Sequence, residues 1–329
     1  MANYIGIKGS TIQSLASDPS NTQEGQLWYN STSGTIKGVK GSAAAWSSGG
    51  AVNTARYGTG HFGIQTAALK FGGTPPLTAD AEEYNGTAWT EVSDIGSARY
   101  GIFGFGTTAA GVLAGGTPPT QSTVQTWNGS AWTSGTAITT ARASTSGGGC
   151  GTSTAGMIVG ATTPQSGLTE TYNGSTWTET GDLTTARGSA AIAGTITAGL
   201  AAGGGAGNGL GVVESFNGTS WTETTDLNSD RANPGGGGAT NTAAIVFGGT
   251  NPPGQTITAK TEQWNGTSWT EVADLAQARE AVGSAQSGPS SASLCFAGIN
   301  PPGSPSSLPT ATEEWNDPGP TSTVTFTSS

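Results

Sequence analysis

The sequence predicts an all-β fold built from repeated four-stranded units, and three periodic features carry the prediction. Trp46, Trp89, Trp132, Trp177, Trp221 and Trp269 recur at intervals of 43 to 48 residues, each followed ten residues later by arginine: Arg56, Arg99, Arg142, Arg187, Arg231 and Arg279. These are all the arginines in the chain. An aromatic residue stands five positions before each Trp from Trp89 onward (Tyr84, Trp127, Tyr172, Phe216, Trp264), and Trp315 adds one more near the C-terminus. Between each of those pairs lies Asn-Gly, the strongest short-range hairpin signal because both residues tolerate positive φ. Self-similarity at this spacing points to a repeat architecture.

Within one unit the Asn85-Gly86 turn allows two registers. A two-residue turn sets Tyr84 opposite Thr87 and Glu82 opposite Trp89; a four-residue loop sets Tyr84 directly opposite Trp89. The registers differ by two residues, so Glu82, Tyr84 and Trp89 share a sheet face in both. An isolated hairpin cannot bury such an aromatic slab, whereas a neighbouring copy can. Upstream lie two further strand candidates, Tyr57 to Ile64 and Ala67 to Phe71, the second closed by Gly72-Gly73. That doublet recurs at Gly115-Gly116, Gly203-Gly204 and Gly248-Gly249, and in altered form at Gly160-Ala161 and Ala297-Gly298. Four short strands per unit describe a propeller blade, and six copies predict a six-bladed β-propeller over residues 46–316.

These residues resemble the kelch repeat: Arg opening the inner strand, a Gly-Gly doublet ending the second, Glu-x-Tyr on the third and Trp on the fourth. The resemblance covers roughly Trp46 to Trp315. It departs from the family pattern in its four-residue spacing between aromatic and Trp and in the altered doublets of repeats three and six. It implies a kelch-like propeller.

Residues 1–45 lie outside the repeat. Ser17 to Asn21 reads as a turn, and Glu24 to Val39 as two strands joined by a polar, Gly-containing turn. Gly25-Gln-Leu-Trp-Tyr-Asn30 is similar to a hairpin near the start of many tailed-phage fibre and virion proteins, those of marine-type phages in particular. With no basic region followed by an apolar core at the start, no export signal is expected. Residues 317–329 form a C-terminal tail with an alternating run, Ser322 to Ser328. Trp46 precedes the first Arg, so it reads as the outer strand of a blade whose other three strands lie at the far end of the chain. The Ser322 to Ser328 run is the competing candidate for that place. Either one removes the unpaired seam of an open ring.

Composition narrows the function. Charged residues make up only 10% of the chain and the net charge is −10. With the arginines committed to the repeat, five lysines remain, so nucleic acid and anionic membranes are poor partners, and no run of 18 apolar residues predicts membrane insertion. His61 is the single histidine, too few for a copper site of the galactose-oxidase kind. The inner strands show no nucleophile with a base and an orienting partner. No enzyme, cofactor or metal is expected. The Asn-Gly-Thr/Ser sequons are explained by their turn position, and Asp94, Asp182, Asp226 and Asp274 read as turn caps. Cys150 and Cys295 fall in opposite blades, too far apart for a disulfide.

Two expectations concern specific residues. Glu82, Glu170, Glu214, Glu262 and Glu313 stand two before the third-strand aromatic, with Gln125 the exception in repeat two; buried carboxylates need cations, so Arg–Glu pairs should hold blade to blade. The second-to-third connections are the most variable part of the repeat. They measure eleven residues from Gly73 to Tyr84 but fifteen from Gly249 to Trp264 and seventeen from Gly298 to Trp315. Binding residues concentrate in such loops, and proline stiffening lowers the entropy lost on binding. Asn251, Pro252, Pro253 and Gln255, with Asn300, Pro301, Pro302, Ser304 and Leu308, are therefore the candidate contact residues. The expected protein is a virion appendage, a tail or head fibre, that adheres to a host-surface receptor (glycan or protein), attaches to other virion proteins through residues 1–45 and self-associates as a trimer. The alternatives are a kelch-type protein interaction module and, more remotely, a glycan-active enzyme.

Overall fold

A computed structural model describes residues 12–20, 26–40, 43–205, 209–252, 255–301, 308–319 and 322–326. The chain forms two compact units, Ala45–Asn316 and a smaller one combining Met1–Ala44 with Asp317–Ser329. Every regular element among the described residues is a strand.

The large unit contains six four-stranded sheets. Sheet one is Gly60–Ile64, Ala67–Phe71, Ala81–Tyr84 and Trp89–Val92. Sheet two is Phe103–Thr107, Ala110–Ala114, Val124–Trp127 and Trp132–Gly135. Sheet three is Gly149–Thr152, Ala155–Thr162, Gln165–Tyr172 and Trp177–Glu179. Sheet four is Ala191–Thr195, Ala198–Ala202, Val213–Phe216 and Trp221–Glu223. Sheet five is Gly235–Thr240, Ala243–Phe247, Thr261–Trp264 and Trp269–Val272. Each is an antiparallel meander in chain order. Sheet six takes Gly283–Ser284, Ala292–Phe296 and Thr312–Asn316 from one end of the unit and Ala45–Gly49 from the other. Its last pair sets Trp46 opposite Trp315, so of the two candidate strands it is the Trp46 strand that pairs there.

Alternation along the strands puts large apolar residues between sheets rather than within one. Phe103, Phe105 and Val112 of sheet two pack with Ile158, Tyr172 and Trp177 of sheet three. Ala68, Tyr84 and Trp89 of sheet one likewise pack with Leu294 and Phe296 of sheet six. The fourth-strand indoles all donate to the preceding sheet or the segment leaving it. Trp132 bonds the Ser93 carbonyl (3.0 Å), Trp177 that of Thr136 (2.9 Å) and Trp269 that of Thr225 (3.0 Å). Trp221 bonds Thr169 Oγ1 (3.0 Å), Trp46 bonds Thr261 Oγ1 (3.1 Å) and Trp89 bonds Thr312 Oγ1 (3.0 Å).

The expected Arg–Glu pairs form, but within a sheet and not between sheets. Each guanidinium is buried, and five meet a third-strand glutamate of their own sheet: Arg56–Glu82 at 2.8 Å, with Arg142–Glu170, Arg187–Glu214, Arg231–Glu262 and Arg279–Glu313. The sheet-to-sheet half of the joint is the arginine backbone. The carbonyls of Arg56, Arg99, Arg142, Arg231 and Arg279 accept from Gly298, Gly73, Gly116, Gly204 and Gly249 of the preceding sheet, at 2.9–3.1 Å. These donors occupy the second doublet position, where φ lies between +93° and +107°, a region open to glycine and costly for other residues. In repeat three that position is Ala161, and the second strand instead bulges and runs on to Thr162, opposite Gln165.

The hairpin register is the four-residue one: Tyr84 opposes Trp89, as Trp127 opposes Trp132. The asparagine side chain decides this. Asn85 Oδ1 accepts from the amides of Thr87 (3.0 Å) and Ala88 (2.9 Å), and the same pair of bonds recurs at Asn128, Asn173, Asn217 and Asn265. Such side-chain turns compete with the two-residue geometry.

In the small unit Leu27–Asn30 pairs antiparallel with Thr35–Lys40, which pairs with Ser322–Phe326, while Gln13–Leu15 adds a parallel edge. Trp28 is fully buried, and its indole donates to Asp18 Oδ1 (3.0 Å) beside Asn30 (2.7 Å). Lys37 completes the cluster, 2.7 Å from Asp18 Oδ2. The bonds from Lys37, Asn30 and Trp28 hold the Asp18 carboxyl down to about 2.

Candidate functional site

The second-to-third connections and the links between sheets emerge together, because each outgoing link bonds the loop beside it: Ile95 N to the Ala79 carbonyl (3.0 Å) and Arg99 N to that of Thr78 (3.2 Å). In repeat five this connection folds into a small hairpin of its own, Thr250–Asn251 against Thr256–Ile257. Asn251 and Pro252 are half-buried there and Gln255 is exposed. In repeat six Pro301 and Leu308 are half-buried, but Asn300 is buried at 4% exposure, which removes it from the accessible face of the loop. Pro253, Pro302 and Ser304 lie outside the described residues.

At the inner strands the sheets close on one another. A Cβ on Gly104 would stand 2.4 Å from the His61 carbonyl oxygen, and one on Gly149 would stand 2.6 Å from that of Gly104. Only glycine permits this approach. Neighbouring first strands lie in contact in the order one-two-three-four-five-six, and six lies against one. His61 is buried among them, Nδ1 3.1 Å from the Thr59 carbonyl and Nε2 3.4 Å from Ser284 Oγ. Nε2 also faces the Gln286 amide at 2.8 Å. With that amide turned, its nitrogen donates to the carbonyls of Gly149 (2.5 Å) and Gly104 (3.2 Å) while its oxygen accepts from the imidazole. A neutral ring carries one N–H, so the imidazole donates either to the Thr59 carbonyl or to the turned Gln286 oxygen, not to both.

Burial drives the imidazole down from 6.5 to about 4, against a smaller opposite pull from the Thr59 carbonyl. The folded chain therefore keeps a neutral ring, while the unfolded chain takes up a proton near the ordinary value. Stability from this group is whole above about 6.5 and falls as pH drops toward about 4. Replacing His61 by Gln is expected to flatten that part of the stability profile, read as urea midpoints at about pH 7 and about pH 5.

Sequence reasoning missed a second periodic feature. Two residues after the arginines, Gly58, Gly101, Ser189, Asn233 and Ala281 all have φ between +48° and +67°. Three of the five are not glycine, so no composition signal marks them. Their main chains bridge repeats: Gly101 N donates to Gly58 O (2.7 Å) and Ala281 N to Asn233 O (3.0 Å). The aspartates are caps, though of a strand: Asp182, Asp226 and Asp274 accept from the amides of Thr169, Val213 and Thr261.

Cys150, on the first strand of sheet three, and Cys295, on the second strand of sheet six, are free and buried, and burial pushes both thiols up to about 12. Thiol titration without reductant is expected to find neither reactive in the folded chain and both reactive once it is unfolded.

No family model matches the chain, and no curated protein matches it in sequence.

Proposed function

We propose that the large unit is a six-bladed, kelch-like β-propeller closed through the Trp46 strand, and that the chain is an appendage protein of a tailed-phage virion that contacts the host surface. The order of the indole bonds carries the propeller reading: each blade is tied to the one before it, and Trp89 ties the first to the sixth. A ring closed in this way has no open seam between its first and last blades and leaves only short outer-strand edges. Its centre, packed around glycine backbone and one neutral histidine, favours binding at the rim over chemistry in a channel.

The small unit supports an attachment role. Tyr29, Ile36 and Phe326 lie in register across its sheet and are 39%, 39% and 48% exposed. Large apolar side chains aligned on an open sheet face suit a further protein surface. Imaging of intact particles with a label on this chain tests the reading: label on an appendage is expected, and unlabelled particles would defeat it. A loop experiment tests the rim. Shortening the repeat-five and repeat-six connections to the eleven-residue spacing of repeat one is expected to leave folding intact and to reduce host adsorption or particle assembly. Unchanged adsorption and unchanged assembly would reject the rim as the contact surface.

A further inference from the structure

Arg99 differs from the other five arginines. It is 1% exposed, yet among the described residues no carboxylate lies within ion-pair distance of it. Its Nη1 meets Thr123 Oγ1, and its Nη2 lies 3.3 Å from Gln125 Oε1. Gln125 stands where the other repeats carry glutamate, and it fills that place in shape, since its Oε1 also accepts from the Gly96 amide (3.1 Å) just as Glu170 accepts from Thr139. It does not replace the charge.

The same repeat has lost two more acids. Two residues after the fourth-strand Trp, repeats one, three, four and five carry Glu91, Glu179, Glu223 and Glu271; repeat two carries Ser134. Five residues after it they carry Asp94, Asp182, Asp226 and Asp274; repeat two carries Ala137. Repeat six also has neutral residues at these two positions, Ser48 and Ala51, but it keeps Glu313 against Arg279. Repeat two alone is neutral at all three. Burial lowers both guanidinium groups, but on Arg142 it is opposed by Glu170, Asp182 and Glu179, whereas on Arg99 nothing opposes it and the group falls to about 10.

Beside Arg99 lies an open cavity of about 310 Å³, lined by Arg99, Thr123, Val124, Gln125, Ser134 and Ala137 among others, a volume at the lower end for small-molecule sites. Two glycines widen it, Gly96 and Gly135, the latter where repeats one and five have Val92 and Val272. In repeats three to five the aspartate at the Ala137 position accepts from a third-strand amide, that of Thr169, Val213 or Thr261; Ala137 puts no carboxylate there.

A buried guanidinium without a counter-charge is costly, and here an open cavity stands beside it. We propose that this cavity binds a small carboxylate, which occupies the place of the missing aspartate and pairs with Arg99. The selectivity follows from shape and charge: planar, bidentate guanidinium recognition suits a carboxylate, and Gln125, Thr123 and Ser134 supply neutral polar groups around it.

The test uses the full chain and three probes, acetate, glucuronate and glucose, with binding read by calorimetry and by the NMR signal of the Arg99 Nε–H. Acetate and glucuronate are expected to bind saturably and to move that signal, while glucose does neither; glucuronate binding tighter than acetate would identify the sugar acid as the better ligand within the same class. Ala137→Asp and Gln125→Glu each return an internal carboxylate and are expected to weaken binding at least ~10-fold while holding or raising the thermal midpoint, so loss of folding is not confused with loss of the site. Saturable binding of neither acid by the unaltered chain, equal binding of glucose, or full binding by Ala137→Asp would overturn the proposal.

Discussion

Trp89→Ala is expected to cost about 3–5 kcal/mol of folding stability. The side chain is 5% exposed and is shared between sheets one and six. Its ring centroid lies 4.8 Å from that of Phe296 and 5.1 Å from that of Tyr84, and the indole donates to the buried Thr312 hydroxyl. Truncation therefore opens a cavity and orphans a buried oxygen at the contact between the first and last sheets. Trp89→Phe keeps most of the ring and loses the hydrogen bond, so a smaller loss of about 1–2 kcal/mol is expected. Urea unfolding with the slope held constant measures both. A loss below about 1 kcal/mol for the Ala variant would show that the contact between these sheets contributes little.

Glu214→Ala is expected to cost a similar amount, about 3–5 kcal/mol, because it strands a buried cation. Glu214 pairs with Arg187 and also accepts from Thr184 N (2.7 Å), Thr184 Oγ1 (2.8 Å) and Thr185 N (3.3 Å). Burial acts to raise this carboxyl, but the bonds from Arg187 and Thr184 outweigh it and hold it below 4.5. The stability it contributes is thus present above its unfolded value and lost as pH falls through the lower folded one. Glu214→Gln reproduces the Gln125 arrangement of repeat two, keeping the shape and one acceptor oxygen while removing the charge, and should lose less than the Ala variant. Equal losses would mean that the charge, not shape or hydrogen bonding, sets the cost.

Strand order and the inter-sheet packing were legible in the sequence because Trp, Arg and Asn-Gly recur at fixed spacing, and a sheet face can be read from period-two alternation. The hairpin register was not, since both turns keep Glu82 and Trp89 on one face; the Asn85 side chain, bonding two amides ahead, selects the longer loop. The arginine joints were half legible. Charge complementarity points to glutamate as partner, but whether the pair lies within a sheet or between sheets depends on the path of the link, and the joint between sheets is a backbone carbonyl that no side-chain pattern reveals. The positive φ at Ser189, Asn233 and Ala281 was hidden for the same reason. The parallel edge strand Gln13–Leu15 pairs chiefly through main chain and leaves no mark in composition. The Arg99 cavity, by contrast, is written in the sequence as three coincident absences, Gln125, Ser134 and Ala137, and becomes visible only when the repeats are laid over one another in three dimensions.

The proposed ring rests on residues from opposite ends of the large unit being strand neighbours. Ser47 opposes Glu314 one residue from the Trp46–Trp315 pair, as Thr126 opposes Thr133 one residue from the Trp127–Trp132 pair. A Ser47→Cys, Glu314→Cys double variant measures the claim directly, with Thr126→Cys, Thr133→Cys as the within-sheet standard. Mild oxidation of the folded chain is expected to cross-link both pairs to a similar extent. The Ser47–Glu314 product should run faster than its reduced form on a denaturing gel, because the bond closes a loop of nearly the whole unit. Cross-linking of the standard with none between positions 47 and 314 would contradict the closed ring.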